Sequence, residues 1–495
     1  MKQIITLKTI TKISLFFIFF LLAVYGCRKD DIINTDTSLR LNFSNDTITF
    51  DTVFTTMGSV TKQLRVYNKN ENAIIISKIA LAKGSNSSYQ INIDGRSGTV
   101  INNLELSGGD SLYIFVRISI DPTNQNNPMI VRDSILFEIN GNLQDVDLYA
   151  WGQDAHFIMP NLKIEGLPPL NIVAKEGESI RWTNEKPYVI VGYAVVDSTA
   201  NLIIDPGTRI HFYNKSGLWI YKGASIQVNG TLEDPVIFQG TRMDEGYRDL
   251  PAQWDRIWIN ESAVNSSFNY AIIQNGTIGI QAETLNESMG NRLILNNTKI
   301  LNMSGWGIFA RFYQIEGNNL VVANAGSSLL NLTGGGRYIF ENCTFGNYYK
   351  YGVRKDPSLY LSNYYILPTS EGDLVYTGLL QEAYFGDCIF YGSLEDELLI
   401  DPYPGTENDF LYHFDYCLLK SSLENTLVGL NSFFNEDPLF IDAYGNDFHL
   451  DSLSPVRNKG ILMMNPADIE GIIRDTKPDL GAYEYVKPTN IKRKK

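Results

Sequence analysis

Histidine and cysteine are scarce, with four of each in 495 residues. His156, His211, His413 and His449 are scattered without paired spacing, whereas zinc needs clustered ligands, so no metal and no cofactor is expected. Positive charge is also short: 41 Lys and Arg stand against 55 Asp and Glu. Phosphate binding needs a basic face, so nucleic acid is excluded as a partner. The "TGGGR" at 333–337 lacks the Lys-Ser/Thr that completes a phosphate loop and reads as a turn. The leading apolar run, from Ile13 to Val24, is too short for a bilayer, which takes roughly 20 residues.

What is present is material for strands. The chain is 44% hydrophobic with 28 Tyr and 25 Phe, and 40 Gly supply turns. Its length exceeds one ordinary compact domain and suits two, or one domain followed by an elongated repeat array.

Residues 1–26 read as an export signal, because Lys2, Lys8 and Lys12 precede the apolar run. "LLAVYGC" resembles a bacterial lipobox, which implies cleavage before Cys27 and lipid attachment to it; a plain cleaved signal is the alternative. Several acyl chains anchor a protein durably, so the expected tie to the membrane is lipid, not a span. "CRKDDIINTD" resembles the stretch that sends Bacteroidetes-type lipoproteins to the outer face of the outer membrane, with residues 27–37 as the tether. Loss of residues 1–26 removes three lysines and no acid, which moves the formal net charge from −14 to −17. Residues 487–495 form a basic, solvated tail.

Across 38–155, apolar segments such as "KQLRVYN" and "SLYIFVRISI" alternate with Asn, Gly, Asp and Ser clusters, a spacing that predicts a sandwich of two antiparallel sheets. This stretch resembles the immunoglobulin-like modules called choice-of-anchor D. A Pro-containing segment, 156–184, reads as a linker with few contacts of its own.

Six octets recur beyond it: "FNYAIIQN" from 268, "LNNTKILN" from 295, "GNNLVVAN" from 317, "FENCTFGN" from 340, "FGDCIFYG" from 385 and "FDYCLLKS" from 414. Their fourth positions, Ala271, Thr298, Leu320, Cys343, Cys388 and Cys417, are 27, 22, 23, 45 and 29 apart, the 45 being about twice 22. Positions four and six share a strand face and point inward. Position three is Asn or Asp in four copies and Tyr in two, and marks a left-handed bend; position eight, mostly Asn, marks a second turn. A strand, a bend and a strand recurring in this way predict a right-handed parallel β-helix over 185–436. The fold class is therefore all-β: a parallel β-helix preceded by an immunoglobulin-like β-sandwich. Cys343, Cys388 and Cys417 read as interior filler.

The segment 437–486, with "DPLF", "DFHLDSLSPVRNKG", "DIEGIIRD" and "PDLGAYEY", resembles the closing segment of choice-of-anchor Q proteins, exported right-handed parallel β-helix proteins. Members of that family carry Ala-Ile-Asp after Ser-Pro; Val456, Arg457 and Asn458 stand there instead, which removes an acid. The segment is expected to cap the last coil, with Asp468, Arg474 and Glu484 as a polar network fixing the cap.

Long loops on rigid scaffolds commonly carry function, and exposed aromatic rings stack on sugar faces. The excursion between Asn347 and Phe385 holds the candidate carbohydrate-binding residues Tyr348, Tyr349, Tyr351, Arg354, Lys355, Asp356, Tyr360, Tyr364 and Tyr365; the other reading is that its tyrosines only cover the flank of the β-helix. A second excursion brings Asp244, Glu245, Arg248 and Asp249 together before Trp254; it reads first as a solvated loop whose Trp254 and Ile257 re-enter the core, the alternative being that it lines a groove with the first. The sequence shows no convergent catalytic signature. The expectation is a non-catalytic, lipid-anchored surface protein that binds polysaccharide or a surface protein; the alternative is a lyase or hydrolase acting on an acidic polysaccharide.

Overall fold

The structure, a computed structural model, describes residues 32–122, 126–261, 264–284, 292–370, 372–423, 427–463 and 465–487. The export signal, Cys27 and the end of the basic tail lie outside the described residues. The chain divides into two units, with the boundary at residues 153 and 154.

The first unit is a β-sandwich of two five-stranded sheets. One runs, in spatial order, Asn42–Phe43, Lys62–Tyr67, Ser111–Ile118, Tyr89–Ile93 and Arg96–Gly98. The other runs Thr47–Phe54, Asn142–Gln153, Met129–Ile139, Ile74–Leu81 and Val100–Leu106. Alternation builds it: in Ser111–Ile118 the side chains of Ile114, Val116 and Ile118 enter the core while Tyr113, Phe115 and Arg117 face out. The expectation of purely antiparallel sheets needs one correction, since Thr47–Phe54 pairs in parallel with Asn142–Gln153 at an edge.

The second unit is the parallel β-helix. Each coil places one short strand on each of three faces, numbered in chain order as in Tyr193–Val196 on the first, Asn201–Ile204 on the second and Arg209–Phe212 on the third, and every strand pairs in parallel with its counterpart in the next coil. The right-handed sense is that of parallel crossovers in general. The six octets stack in the register their columns predict. Ile273 faces Ile300, Ile300 faces Val322, Val322 faces Phe345, Phe345 faces Phe390 and Phe390 faces Leu419. All six third positions are left-handed, with φ between 45° and 53°, including Tyr270 and Tyr416. Inside, Phe340, Phe385 and Phe414 stack at ring separations of 5.6 and 4.9 Å, close to the ~4.8 Å strand spacing. Phe345 and Phe390 stack at 4.4 Å in the next column.

The fourth-position column has a second function. Cys343 Sγ donates to Glu341 O at 3.2 Å and Cys388 Sγ to Gly386 O at 3.2 Å. Thr298 Oγ1 does the same to Asn296 O at 2.9 Å. These carbonyls already accept the backbone N–H of Asn319, Asn342 and Tyr270 from the preceding coil, so the small side chain supplies each bend carbonyl with a second donor and satisfies its own. All three thiols are fully buried and free of disulfides, and burial raises the Cys388 thiol well above its usual range.

Three expectations are corrected. Residues 156–184 are not a low-contact linker: His156–Ile158, Leu170–Ala174 and Ser179–Trp182 pair with the next coil, because Leu170, Ala174 and Trp182 are buried. The spacing of 45 is one coil and not two, since Thr344–Asn347 pairs directly with Ile389–Gly392. That coil is lengthened by the loop 348–358 and by a hairpin, Tyr364–Thr369 with Gly372–Thr377. Finally, residues 437–486 do not cap the end. They lie along the outside of the third face, where Phe448, Ile469, Ala482 and Tyr483 cover Val321 and Ala323, and Leu450, Val456 and Leu480 cover Ile389 and Leu418. The outward side of that face is itself apolar and needs a cover.

The network expected at 468–484 is present in this lateral cover. Arg474, fully buried, donates to Glu484 Oε1 at 2.6 Å and to Asn319 Oδ1 at 3.1 Å, while Asp468 accepts the Glu484 N–H at 2.9 Å. It fixes the cover to the column of left-handed bends.

Candidate functional site

The eighth-position column makes the floor of a cavity over the third face. Asn275, Asn302 and Asn324 are left-handed, with φ of 66°, 60° and 56°. Their Nδ2 atoms donate outward: Asn275 to Arg248 O at 2.6 Å, Asn302 to Asp249 O at 2.5 Å and Asn324 to Ala443 O at 2.8 Å. Asn324 also accepts the Tyr348 N–H at 2.8 Å. One ladder of amides therefore ties down both excursions and the closing segment.

The space between them is about 200 Å³, lined by Asp249, Gln274, Asn275, Leu301, Asn302, Asn324, Tyr348, Lys350, Tyr351, Tyr444, Gly445 and Asn446. Tyr351 Oη donates to Asp249 O at 2.9 Å, and Lys350 Nζ donates to Tyr444 O at 3.1 Å. Burial raises the phenols of Tyr348 and Tyr351, helped by the Asp437 and Asp249 charges respectively, so both rings stay neutral donors. The lining has one carboxylate, Asp249, and one ammonium, Lys350.

The candidate residues of the long excursion separate into groups. Tyr348 and Tyr351 line the cavity; Tyr349 rests edge-on against Tyr351 at 5.8 Å. Lys355 and Asp356 are exposed, with Asp356 accepting from Ser327 Oγ at 2.6 Å. Arg354 faces inward: it is buried and forks onto Glu397 at 2.5 and 2.7 Å, so it holds the loop and is not open to a ligand. Glu397 also accepts from Ser358 Oγ at 2.6 Å. Tyr360 and Tyr364 point to another place and share Asp401 Oδ2 at 2.9 and 2.7 Å. Tyr365 stacks on Tyr376 at 4.9 Å and lies under Arg311 at 4.6 Å. The split follows from Leu359–Ser362, a first-face strand inside what reads in sequence as one excursion.

Asp249 of the second excursion reaches the same cavity, while Trp254 and Ile257 enter the core as expected. Lys350, Tyr444 and Asn446 escape sequence reasoning. The Asn column, read there only as turns, was the signal that locates them.

A second polar constellation lies outside the first face. Glu283 accepts from Trp258 Nε1 at 2.7 Å, Gln281 Nε2 at 2.9 Å and Arg311 at 2.5 Å, and Arg256 pairs with Asp255 at 2.9 Å. Glu283 is 4% exposed. Three donors hold its two oxygens, so as it stands it braces successive coils. Among the described residues no group of His, Cys, Asp and Glu is arranged to hold a metal ion. His211 is buried against Gly240 O, and burial pushes it down to about 4, which keeps it neutral.

No curated protein matches the chain. Among solved structures, a family 123 glycoside hydrolase from Clostridium perfringens is 10% identical over 23% of this chain and 25% of its own, with a TM-score of 0.17. The PapD-like domain 7 of human CEP192 is 13% identical over 27% of this chain and 97% of its own, and a protein from Porphyromonas gingivalis W83 is 13% identical over 26% and 60%, both with TM-scores of 0.17. The chain thus spans a quarter of the glycoside hydrolase, and these likenesses bear on neither site nor activity. Within the β-helix, residues 174–265 match the pectate-lyase-like beta helix domain family, the coils that begin in the segment Leu170–Trp182 and carry the second excursion.

Proposed function

We propose that this protein is a non-catalytic surface lipoprotein, anchored through Cys27 at the outer membrane, whose β-helix flank binds carbohydrate in the cavity over the third face. The observation that carries this is the lining itself: an amide floor, neutral phenol walls, one carboxylate and one ammonium. Amides and phenols hydrogen-bond hydroxyls, and rings stack on the apolar faces of sugars. Acid–base cleavage of a glycosidic bond uses two carboxyl groups flanking it, and this lining offers one. At about 200 Å³ the cavity is smaller than a drug-sized pocket of roughly 300–1,000 Å³ and suits a single ring or a chain end.

The test is a glycan array probed with the full chain. Retention of defined glycans that Tyr351→Ala abolishes supports the reading; no retention of any glycan sinks it. The rival reading is a lyase or hydrolase for acidic polysaccharide, favoured by the convergence of Asp255, Glu283, Arg256 and Arg311 outside the first face. Incubation with uronic acid polymers, followed by absorbance of unsaturated ends and by reducing-sugar release, decides it, and silence in both rejects it.

A further inference from the structure

Five arginines of the β-helix and two of the β-sandwich differ in their partners. On the β-helix, Arg181, Arg256, Arg311, Arg354 and Arg474 all pair with carboxylates. On the outer face of the sandwich, Arg117 donates from Nε and Nη2 to the neutral Gln90 Oε1 at 2.8 and 2.5 Å. Arg65 donates to Ser111 Oγ at 3.0 Å and lies 5.1 Å from the rings of both Tyr67 and Tyr113. Neither forms an ion pair among the described residues. In a chain of net charge −14 this is uncompensated positive charge held in place by neutral partners.

The same face exposes apolar surface that the core does not use. Tyr113 and Phe115, on the central strand of the sheet, are 41% and 43% exposed. Beside Phe115 an open recess of about 500 Å³ runs over the sheet surface between Thr61 and the strands that hold Asn92 and Ser97, and Arg117 is its one charged lining residue. Gln90 and Asn92 add amides, the latter steadied by its donation to Ser97 Oγ at 2.7 Å. Guanidinium groups match carboxylates as rigid forks, amides match hydroxyls, and an aromatic ring matches the apolar face of a pyranose.

We infer that the outer face of this sheet is a second binding site, and that its ligand is a carboxylated sugar, a uronic acid unit of an anionic polysaccharide, stacked on Phe115 with its carboxylate on Arg117. The site does not depend on the cavity over the third face. The sandwich is then a binding module and not a spacer.

The test is titration calorimetry of the full chain with an oligogalacturonate, its carboxyl-reduced counterpart, and a sulfated oligosaccharide of equal length. The oligogalacturonate binds, more weakly as salt rises, and the reduced form does not. Phe115→Ala and Arg117→Gln each lower affinity about tenfold or more, and Phe115→Tyr restores it. Both side chains face solvent, so circular dichroism of the variants stays native. Tyr351→Ala leaves this binding unchanged, which separates its failure from failure of the β-helix site. Equal binding of the reduced oligomer, tighter binding of the sulfated one, unaltered affinity in both variants, or no heat with oligogalacturonate overturns the inference.

Discussion

Two strands show how differently the two units use a sheet. Ser111–Ile118 in the sandwich alternates between core and solvent, whereas Val321–Ala325 on the third face of the β-helix is buried at every position. The first needs a partner on one side only. The second is pressed between the coil interior and the closing segment, and for that reason reads as apolar at every position except the left-handed Asn324. Polar groups follow the same division. Among the described residues the two buried arginines, Arg354 and Arg474, are each locked to a glutamate, while Arg65 and Arg117 on the open sandwich face have neutral partners. Charge under cover is structural; charge left unpaired beside exposed rings is available to a ligand.

The strongest way to break this comparison is to remove the cover. Truncation after Asp447 bares Val321, Ala323, Ile389 and Leu418, and size-exclusion chromatography is expected to show loss of the soluble monomer. A monomer as stable as the full chain would mean that the third face needs no cover.

Arg354→Met comes next. It strands Glu397 beneath the surface, and unfolding is expected to be easier by about 3–5 kcal/mol, read by denaturant titration. The matched change on the sandwich, Arg117→Gln, is expected to stay within about 0.5 kcal/mol of the parent. Similar values for the two would erase the distinction between covered and open charge.

Asp387 sharpens it further. Burial pushes its carboxyl up to about 7 from 3.8, partly opposed by the Ile461 N–H and the Arg474 charge. The folded state then binds more protons than the unfolded one between these values, so stability is full below pH 3.8 and falls as pH rises through about 7. Asp387→Asn, which fits a left-handed column already holding Asn297, Asn319 and Asn342, is expected to flatten this slope and to unfold at higher temperature than the parent at pH 8. An unchanged slope in melting scans across that window contradicts it.

The smallest effect expected is that of Cys388→Thr. Thr298 already makes the same donation to the bend carbonyl, so the exchange is expected to cost under about 1.5 kcal/mol, with no change in thiol-dependent behaviour because the group is buried. A larger loss would show that the ladder depends on sulfur and not on a small donor.

Much of the β-helix was legible beforehand because its rules are local. An inward side chain every second residue and an Asn or Asp where the backbone turns left-handed repeat in each coil, so six octets declare their own register. The first coil was not legible: Leu170–Ala174 and Ser179–Trp182 have no octet, and Pro160, Pro168 and Pro169 ahead of them read as a linker. The candidate site was half legible. Tyr348, Tyr351 and Asp249 come from excursions that the sequence marks, but Arg354 turned inward because Glu397, 43 residues later, lies beneath it.

By itself the sequence determined the period, the inward columns, the bends and the chemical kind of each exposed side chain, since these rest on backbone geometry and on neighbours a few residues away. Only the tertiary structure decided that the closing segment lies along the third face, that three asparagines and two distant loops enclose one cavity, and which arginines meet a carboxylate. Those outcomes depend on contacts between residues tens to more than a hundred positions apart, as between Asn324 and Ala443, and no local pattern encodes such a meeting.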